Sequence, residues 1–161
     1  ETLLISKSIA SKILPSLCKK LSDAGVELRG DTMTKSILKD TGIDIQTAND
    51  SDWDEEYLDL ILSIKIVDGV EEAIEHINIH GSGHTETIIT KDPQSAKRFQ
   101  IEVDSSTIFW NASTRFTDGG QFGMGAEIGI STDKIGARGP MGLEELTTYK
   151  WLGVADGLIR K

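Results

Sequence analysis

Stretches rich in β-branched and aliphatic residues alternate along this chain with stretches whose apolar residues recur at helical spacing. The first kind predicts strands, which cover Thr2–Ser6, Val26–Arg29, Ile43–Thr47, Leu60–Val67, Thr87–Thr90, Ser106–Trp110 and Tyr149–Val154. The second kind predicts helices, which begin near Ser8, Asp31, Asp68, Asp92 and Gly142. Because strands and helices alternate, the pattern predicts an α/β fold with a largely parallel sheet and flanking helices.

The first helical stretch contains a proline in its interior. Its apolar stripe extends from Ile9 to Leu21, and Pro15 lies in the middle of it. Proline lacks the N–H group that an interior position donates, and its ring clashes with the preceding turn. We therefore expect a kink or a restart of the helix near this residue.

A glycine-rich segment follows the apolar run Ser106–Trp110. Eight of the chain's 16 glycines lie between Gly119 and Gly142. Since glycine permits positive φ angles and close backbone approach, such a segment can expose N–H groups to a ligand. Three cations in or beside it could hold a carboxylate or a phosphate, namely Arg115, Lys134 and Arg138. A long, tightly turned surface connection with ordinary solvated charges explains the same pattern.

The composition narrows the classes of partner. Seventeen basic against 26 acidic residues give a formal net charge of −9, and such a surface repels nucleic acid and anionic membranes. No apolar run approaches the roughly 20 residues needed to span a bilayer. The single cysteine, Cys18, excludes an internal disulfide framework and suits a reducing compartment. These features predict a cytoplasmic protein without a nucleic-acid or membrane partner.

Two candidate sites have simpler structural explanations. Cys18 shares a helix face with Leu14 and Leu21, where a thiol usually packs as an inert small hydrophobe. His76 and His80 have the spacing of a helical metal pair, but the glutamate of the hydrolytic zinc motif is absent between them. His80 is better explained as a cation at a helix C-terminus, and we predict no metal site.

Three strings in the second half of the chain carry a specific resemblance. Asn111–Gly120 reads NASTRFTDGG, Phe122–Glu127 reads FGMGAE, and Ala137–Lys150 reads ARGPMGLEELTTYK. In this order they resemble the γ-glutamyl phosphate reductases, also called glutamate-5-semialdehyde dehydrogenases, of the aldehyde dehydrogenase superfamily. The resemblance extends over essentially the whole chain.

The resemblance implies an aldehyde dehydrogenase-like catalytic domain that acts in proline biosynthesis. Residues 1–148 would form the C-terminal part of that domain, and residues 149–161 would form an oligomerisation segment whose strand joins subunits. The nucleophilic cysteine of the family would precede Glu1, so we expect the chain to be a fragment without a catalytic residue of its own. The whole enzyme would reduce L-glutamyl 5-phosphate to L-glutamate 5-semialdehyde with NADPH. Its partners would be further copies of itself and, functionally, glutamate 5-kinase.

The resemblance also assigns residues to the site. Substrate binding would use the strand end and loop, at Asn111, Ser113, Thr114 and Arg115, together with His84 of a family Gly-x-x-His motif. The cofactor, NADP, would be bound by Glu56 at the nicotinamide ribose and by Phe122. The assignments of His84 and Glu56 have structural alternatives. His84 also suits an ordinary loop histidine, and Glu56 lies in a run of acidic residues, which is usually a solvated face.

A rival hypothesis comes from another functional class. A chain that keeps this fold without the thiol could be a non-catalytic binding or assembly module. The two hypotheses differ in whether a cysteine-containing segment stands directly before Glu1 in the native polypeptide.

Overall fold

The main sheet consists of four parallel strands in the order β1–β4–β2–β3, as seen in a computed structural model that describes residues 1–160. The strands are β1 (Thr2–Ser6), β2 (Glu27–Gly30), β3 (Gln46–Thr47) and β4 (Ile61–Val67). The central strand, β4, pairs with β1 from Thr2 opposite Ser63 and with β2 from Glu27 opposite Ile61. The predicted parallel sheet is confirmed, although only the last two residues of the predicted strand Ile43–Thr47 pair.

One long helix, α1 (Lys7–Asp23), follows β1 directly and covers the sheet. It begins after Ser6 and not at Ser8, and it continues through Pro15, so the predicted restart is wrong. The buried face of α1 belongs to a core formed by Ile5, Ala10, Leu14, Cys18, Leu28, Leu38, Ile64 and Ile66. Burial of this face stabilises the helix on both sides of the proline, which offsets the missing backbone hydrogen bond.

The second helix, α2 (Thr32–Leu38), is capped as predicted by Asp31. One oxygen of Asp31 accepts from the N–H of Thr34 at 2.7 Å, and the other accepts from the N–H of Ile66 at 3.0 Å. The same carboxylate therefore starts the helix and ties it to β4.

A second layer follows β4 and contains α3 (Val70–His80), β5 (Thr85–Ile88), α4 (Pro93–Glu102) and β6 (Thr107–Trp110). The strands β5 and β6 pair in parallel, and Ile74, Phe99 and Val103 form a small core beside them. Asp92 caps α4 as predicted by accepting from the N–H groups of Gln94 and Ser95. The cap residue of α3 is Gly69, so the prediction of Asp68 is wrong by one position.

The end of the chain differs most from the sequence-based prediction. The glycine-rich segment contains a short antiparallel pair, β7 (Gly129–Ser131) and β8 (Gly139–Met141), that the hydrophobic pattern did not indicate. The predicted strand Tyr149–Val154 is absent, and Trp151 is 90% exposed. A strand needs a neighbour for its backbone hydrogen bonds, and no strand of residues 1–160 lies beside this segment. The predicted oligomerisation segment ends at Lys161, which lies outside the described residues.

Within residues 1–160 no helix is long and apolar enough to cross a membrane.

Candidate functional site

Hydrogen bonds join His84, in the loop before β5, to Thr117, in the loop that carries Arg115. The Nδ1 atom of His84 lies 2.7 Å from the hydroxyl oxygen of Thr85, and that hydroxyl donates to the hydroxyl of Thr117 at 2.9 Å. Since the Thr85 hydroxyl donates to Thr117, it can accept from Nδ1–H of His84 in the tautomer that carries its proton there. These contacts join the start of β5 to the loop after β6, and the role of His84 toward a substrate stays a prediction.

The loop after β6 contains a turn of 3-10 helix, Thr114–Phe116, which positions Arg115. The side chain of Ser113 caps this turn by accepting from the N–H of Arg115 at 3.2 Å. Beside the turn lies an open hollow of about 370 Å³, lined by Ser113, Arg115, Phe116, Asp118 and Gln121. Two of the predicted substrate-binding residues, Ser113 and Arg115, therefore share one concave surface.

The side chain of Asn111 makes structural hydrogen bonds that the sequence did not predict. Its side-chain oxygen accepts from the N–H of Thr90 at 2.9 Å, and its side-chain nitrogen donates to the carbonyl of Thr90 at 2.9 Å. Its φ angle is +55°, in the left-handed region that asparagine tolerates better than most residues. These contacts join the end of β6 to the segment after β5, and the predicted role of Asn111 in substrate binding stays a prediction.

The two later cations of the glycine-rich segment are already paired. Lys134 bonds one carboxylate oxygen of Asp104, and Nη2 of Arg138 lies 3.0 Å from the other. Their two charges lower the pKa of Asp104 through these hydrogen bonds. Both side chains thereby join the β7–β8 segment to the residues after α4, and their predicted role toward an anion stays a prediction. Arg115 differs, since within residues 1–160 its side chain makes no hydrogen bond or ion pair.

The aromatic residue assigned to the cofactor, Phe122, belongs to the glycine-rich segment. Its ring stacks on that of Phe109 with centroids 6.3 Å apart, and half of its surface is exposed. Glu56 lines a different hollow, so the structure gives no direct contact between the two predicted cofactor residues. The role of Phe122 stays a prediction.

Glu56 lies on the exposed segment that precedes β4. It lines an open hollow of about 480 Å³ together with Glu1, Tyr57, Leu58, Asp59 and Leu60. Within the described residues its carboxylate has no hydrogen-bond or ion-pair partner. An exposed, uncommitted carboxylate at a concave surface fits the requirements of a ribose diol, which donates two hydroxyl hydrogen bonds to it.

A buried polar network beside Glu56 escaped the sequence analysis. Asp52 is 2% exposed, and its carboxylate accepts from Nη1 of Arg29 at 2.6 Å and from the hydroxyl of Tyr57 at 2.8 Å. Burial raises the pKa of Asp52, but the bonds from the Asn49 N–H, Arg29 and Tyr57 outweigh it and hold that pKa below its usual range. In the sequence Asp52 is one of five nearby acidic residues, so no local signal distinguished it.

A second group missed from the sequence is Glu86, on β5 two residues after His84. Burial, with the negative charge of Glu1 facing it, raises the pKa of the Glu86 carboxyl to about 7, although a hydrogen bond from Ser105 opposes the shift. Glu86 therefore lies on the strand that follows His84 and close to the charge of Glu1.

The remaining candidates have structural roles. Cys18 is fully buried, and burial raises the pKa of its thiol to about 11, so the prediction that it is not a nucleophile is supported. Burial and the nearby charge of Lys65 lower the pKa of His76 to about 4. His80 bonds the carboxylate of Asp54 at 2.7 Å. Among residues 1–160, no three histidine, cysteine or acidic side chains are grouped as metal ligands would be.

Comparisons with known proteins agree with this architecture. The model of the aldehyde dehydrogenase family matches residues 12–152. The γ-glutamyl phosphate reductase of Thermoanaerobacter sp. (strain X514) is 55% identical over 161 residues, which are 100% of this chain and 38% of that protein. The Escherichia coli (strain 55989 / EAEC) protein of the same name is 49% identical over 160 residues, covering 99% of this chain and 38% of its own length.

The fold comparison gives the same result. The crystal structure of γ-glutamyl phosphate reductase from Thermotoga maritima superposes with a TM-score of 0.95 at 49% identity, over 100% of this chain and 38% of that one. An acetylating aldehyde dehydrogenase from Geobacillus thermoglucosidasius, at 21% identity and a TM-score of 0.51, shares the fold over 74% of this chain and 34% of its own. The resemblance found in the sequence strings and the aldehyde dehydrogenase-like fold are confirmed. The chain spans 38% of the length of the first of these relatives, and it belongs to the aldehyde dehydrogenase family.

Proposed function

We propose that this chain works as the C-terminal part of a γ-glutamyl phosphate reductase, which reduces L-glutamyl 5-phosphate to L-glutamate 5-semialdehyde with NADPH and releases phosphate. Identity of 55% over all 161 residues to a reductase of that name supports the proposal. The complete enzyme would act in proline biosynthesis in the cytoplasm. It would assemble from several copies, and association with glutamate 5-kinase is part of the same expectation.

The geometric observation that carries the proposal is the hollow shared by Glu56 and Glu1. The resemblance puts the nucleophilic cysteine a few residues before Glu1, so the reacting thiol would enter near this hollow. When bound, NADPH would supply the hydride. Glu56 would hold the ribose next to the nicotinamide, at the place where the acyl group is attached.

The second half of the site would bind the substrate. The substrate carries an acyl phosphate at one end and an α-amino acid at the other, and the protein around it is acidic overall. Arg115, with its uncommitted guanidinium in the hollow lined by Ser113, can bind a carboxylate or phosphate with two parallel hydrogen bonds. Thr114 lies in the same turn, and His84 is joined through Thr85 to Thr117, the residue that follows this turn.

The proposal is tested with the complete reductase that contains this chain. The assay is oxidation of glutamate semialdehyde in the presence of phosphate and NADP. Glu56→Gln should raise the KM for NADP or slow hydride transfer, whereas Glu55→Gln, its equally exposed neighbour, should change neither. Equal and negligible effects would leave the acidic run as solvated surface, and no turnover by the parent enzyme would refute the proposed function.

The isolated 161-residue chain provides a second test. It should show no turnover, because the thiol and most of the cofactor site would lie upstream. Activity of this chain that disappears in Cys18→Ser would overturn the structural role of Cys18.

A further inference from the structure

The segment that carries Glu56 has no helix or strand of its own. It connects the 3-10 helix that ends at Trp53 to the start of β4 at Ile61. Within it Leu58 has a φ angle of +50°, a conformation that is unfavourable for a residue with a Cβ atom. The Leu58 side chain is 88% exposed, so its own packing does not stabilise this backbone. The conformation must be held from elsewhere.

Tyr57 provides the attachment. Its hydroxyl lies 2.8 Å from Oδ1 of Asp52 and 2.7 Å from the hydroxyl of Ser63. Ser63 is completely buried in β4, where it pairs with Thr2 on one side and with Arg29 on the other. The residue next to Glu56 is therefore hydrogen-bonded to the central strand of the main sheet.

Arg29 completes the attachment from the neighbouring strand β2. Its guanidinium bonds Asp52 at 2.6 Å and lies 4.9 Å from the ring centroid of Tyr57, within the range of a cation–π contact. Asp52 and Arg29 thus hold the Tyr57 side chain at its hydroxyl and at its ring face. An aromatic ring fixed at both places has little rotational freedom, which restricts the main chain of residues 56–58.

The same network leaves Glu56 available. Arg29 bonds Glu27 at 2.7 Å in addition to Asp52, so its charge is already matched by two carboxylates. Within the described residues no other cation bonds Glu56. The network therefore leaves the Glu56 carboxylate unpaired within the described residues.

We propose that Tyr57 is a positioning residue, whose hydroxyl, held between Asp52 and Ser63, fixes the carboxylate of Glu56 toward the nicotinamide-ribose hydroxyls of the dinucleotide. This inference rests on the proposed function. It deepens that function by assigning the geometry of the cofactor contact to a buried network that does not itself touch the cofactor.

The direct test is Tyr57→Phe in the complete reductase, which removes the hydroxyl and keeps the ring. The KM for NADP should rise about tenfold, the scale of one lost hydrogen bond to an ionised group. The KM for glutamate semialdehyde should stay within about twofold of the parent value. Glu55→Gln is the control, because its side chain is exposed and makes no hydrogen bond within residues 1–160.

A double variant separates positioning from general damage. If Tyr57 acts through Glu56, adding Tyr57→Phe to Glu56→Gln should raise the KM for NADP no further. A full additional tenfold increase would overturn the inference. So would an unchanged KM in Tyr57→Phe alongside a raised KM in Glu56→Gln, and in that case the proposed function would stand.

Two measurements need no turnover. Peptides covering residues 49–61 should exchange their amide hydrogens faster in Tyr57→Phe than in the parent enzyme, and NADPH should bind about tenfold more weakly in a fluorescence titration. Unchanged exchange or unchanged NADPH affinity would overturn the inference. An inactive parent enzyme is a separate result, because it would refute the proposed reaction.

Discussion

The side-chain amide of Asn111 makes a reciprocal pair of hydrogen bonds with the backbone of Thr90, each 2.9 Å long. The indole N–H of Trp110 donates to the same carbonyl at 3.0 Å. These contacts join the end of β6 to the segment after β5. The Asn111 side chain therefore has a structural role, and its predicted role in substrate binding stays a prediction.

Replacing Asn111 should therefore cost stability before it costs binding. Asn111→Ala removes two backbone contacts and leaves an alanine at a φ angle of +55°. We expect the free energy of unfolding to fall by roughly 2 kcal/mol. Thermal unfolding of the complete protein measures this, with Ser113→Ala as a control that loses a single, longer bond to the N–H of Arg115. An unchanged melting temperature together with a raised substrate KM would contradict the structural role and favour the predicted binding role of Asn111.

Arg115 should show the opposite behaviour. Because its side chain has no partner within residues 1–160, Arg115→Ala should leave the melting temperature unchanged. It should lower kcat/KM for glutamate semialdehyde. The loss should correspond to on the order of 2–4 kcal/mol of transition-state stabilisation, the range for losing a charge-assisted pair in a partly desolvated site. Arg115→Lys should recover part of the loss, and the KM for NADP should barely change.

Arg138→Ala is the control for Arg115, since Arg138 is bound to Asp104. It should lower the stability of the glycine-rich segment and have a smaller effect on substrate KM. Unchanged kinetics in a well-folded Arg115→Ala enzyme would exclude the anchor role, and a lowered melting temperature would make Arg115 structural.

Glu86 should make the protein less stable at alkaline pH. Its folded pKa of about 7 lies above the value of 4.5 for an unperturbed glutamate, so the folded state favours the neutral acid. This contribution to stability is fully present below pH 4.5 and is lost as the pH rises through 7. Glu86→Gln should therefore stabilise the protein at pH 8 by on the order of 2 kcal/mol and have little effect at pH 5.

The measurement for Glu86 is the melting temperature of the parent and the variant across this pH range. Glu75→Gln serves as the control, because Glu75 is exposed on α3 and should give pH-independent differences. A constant difference between Glu86→Gln and the parent from pH 5 to pH 8 would contradict the buried-acid explanation.

The C-terminal segment is expected to assemble the enzyme. Residues 149–160 expose large apolar side chains, including Trp151 at 90% and Leu152 at 79%, which find no cover within the described residues. Deleting residues 151–161 from the complete reductase should lower its mass in light scattering, since the exposed apolar segment would be covered by another subunit. An oligomer of unchanged mass would rule this role out.

The sequence by itself determined the elements whose signals are local. The apolar run Ile61–Val67, the helix starts at Asp31 and Asp92 and the burial of Cys18 all follow from periodicity and from capping within one or two turns. Such interactions join residues that are close in the chain, so a pattern of residue types contains them. The family strings added what no pattern contains, which is the resemblance to the reductases.

Only the tertiary structure decided which charges remain available for chemistry. Arg138 and Asp104 are 34 residues apart, and Arg29 and Asp52 are 23 apart. Nothing in the neighbourhood of Arg138 distinguishes it from Arg115, yet one is paired and the other is not. The pairing depends on which surfaces the packed sheet and helices bring together, and this brings side chains that are distant in the sequence into contact. The same reason hides the network around Tyr57 from the sequence, because its members come from β2, β4 and the segment between the strands.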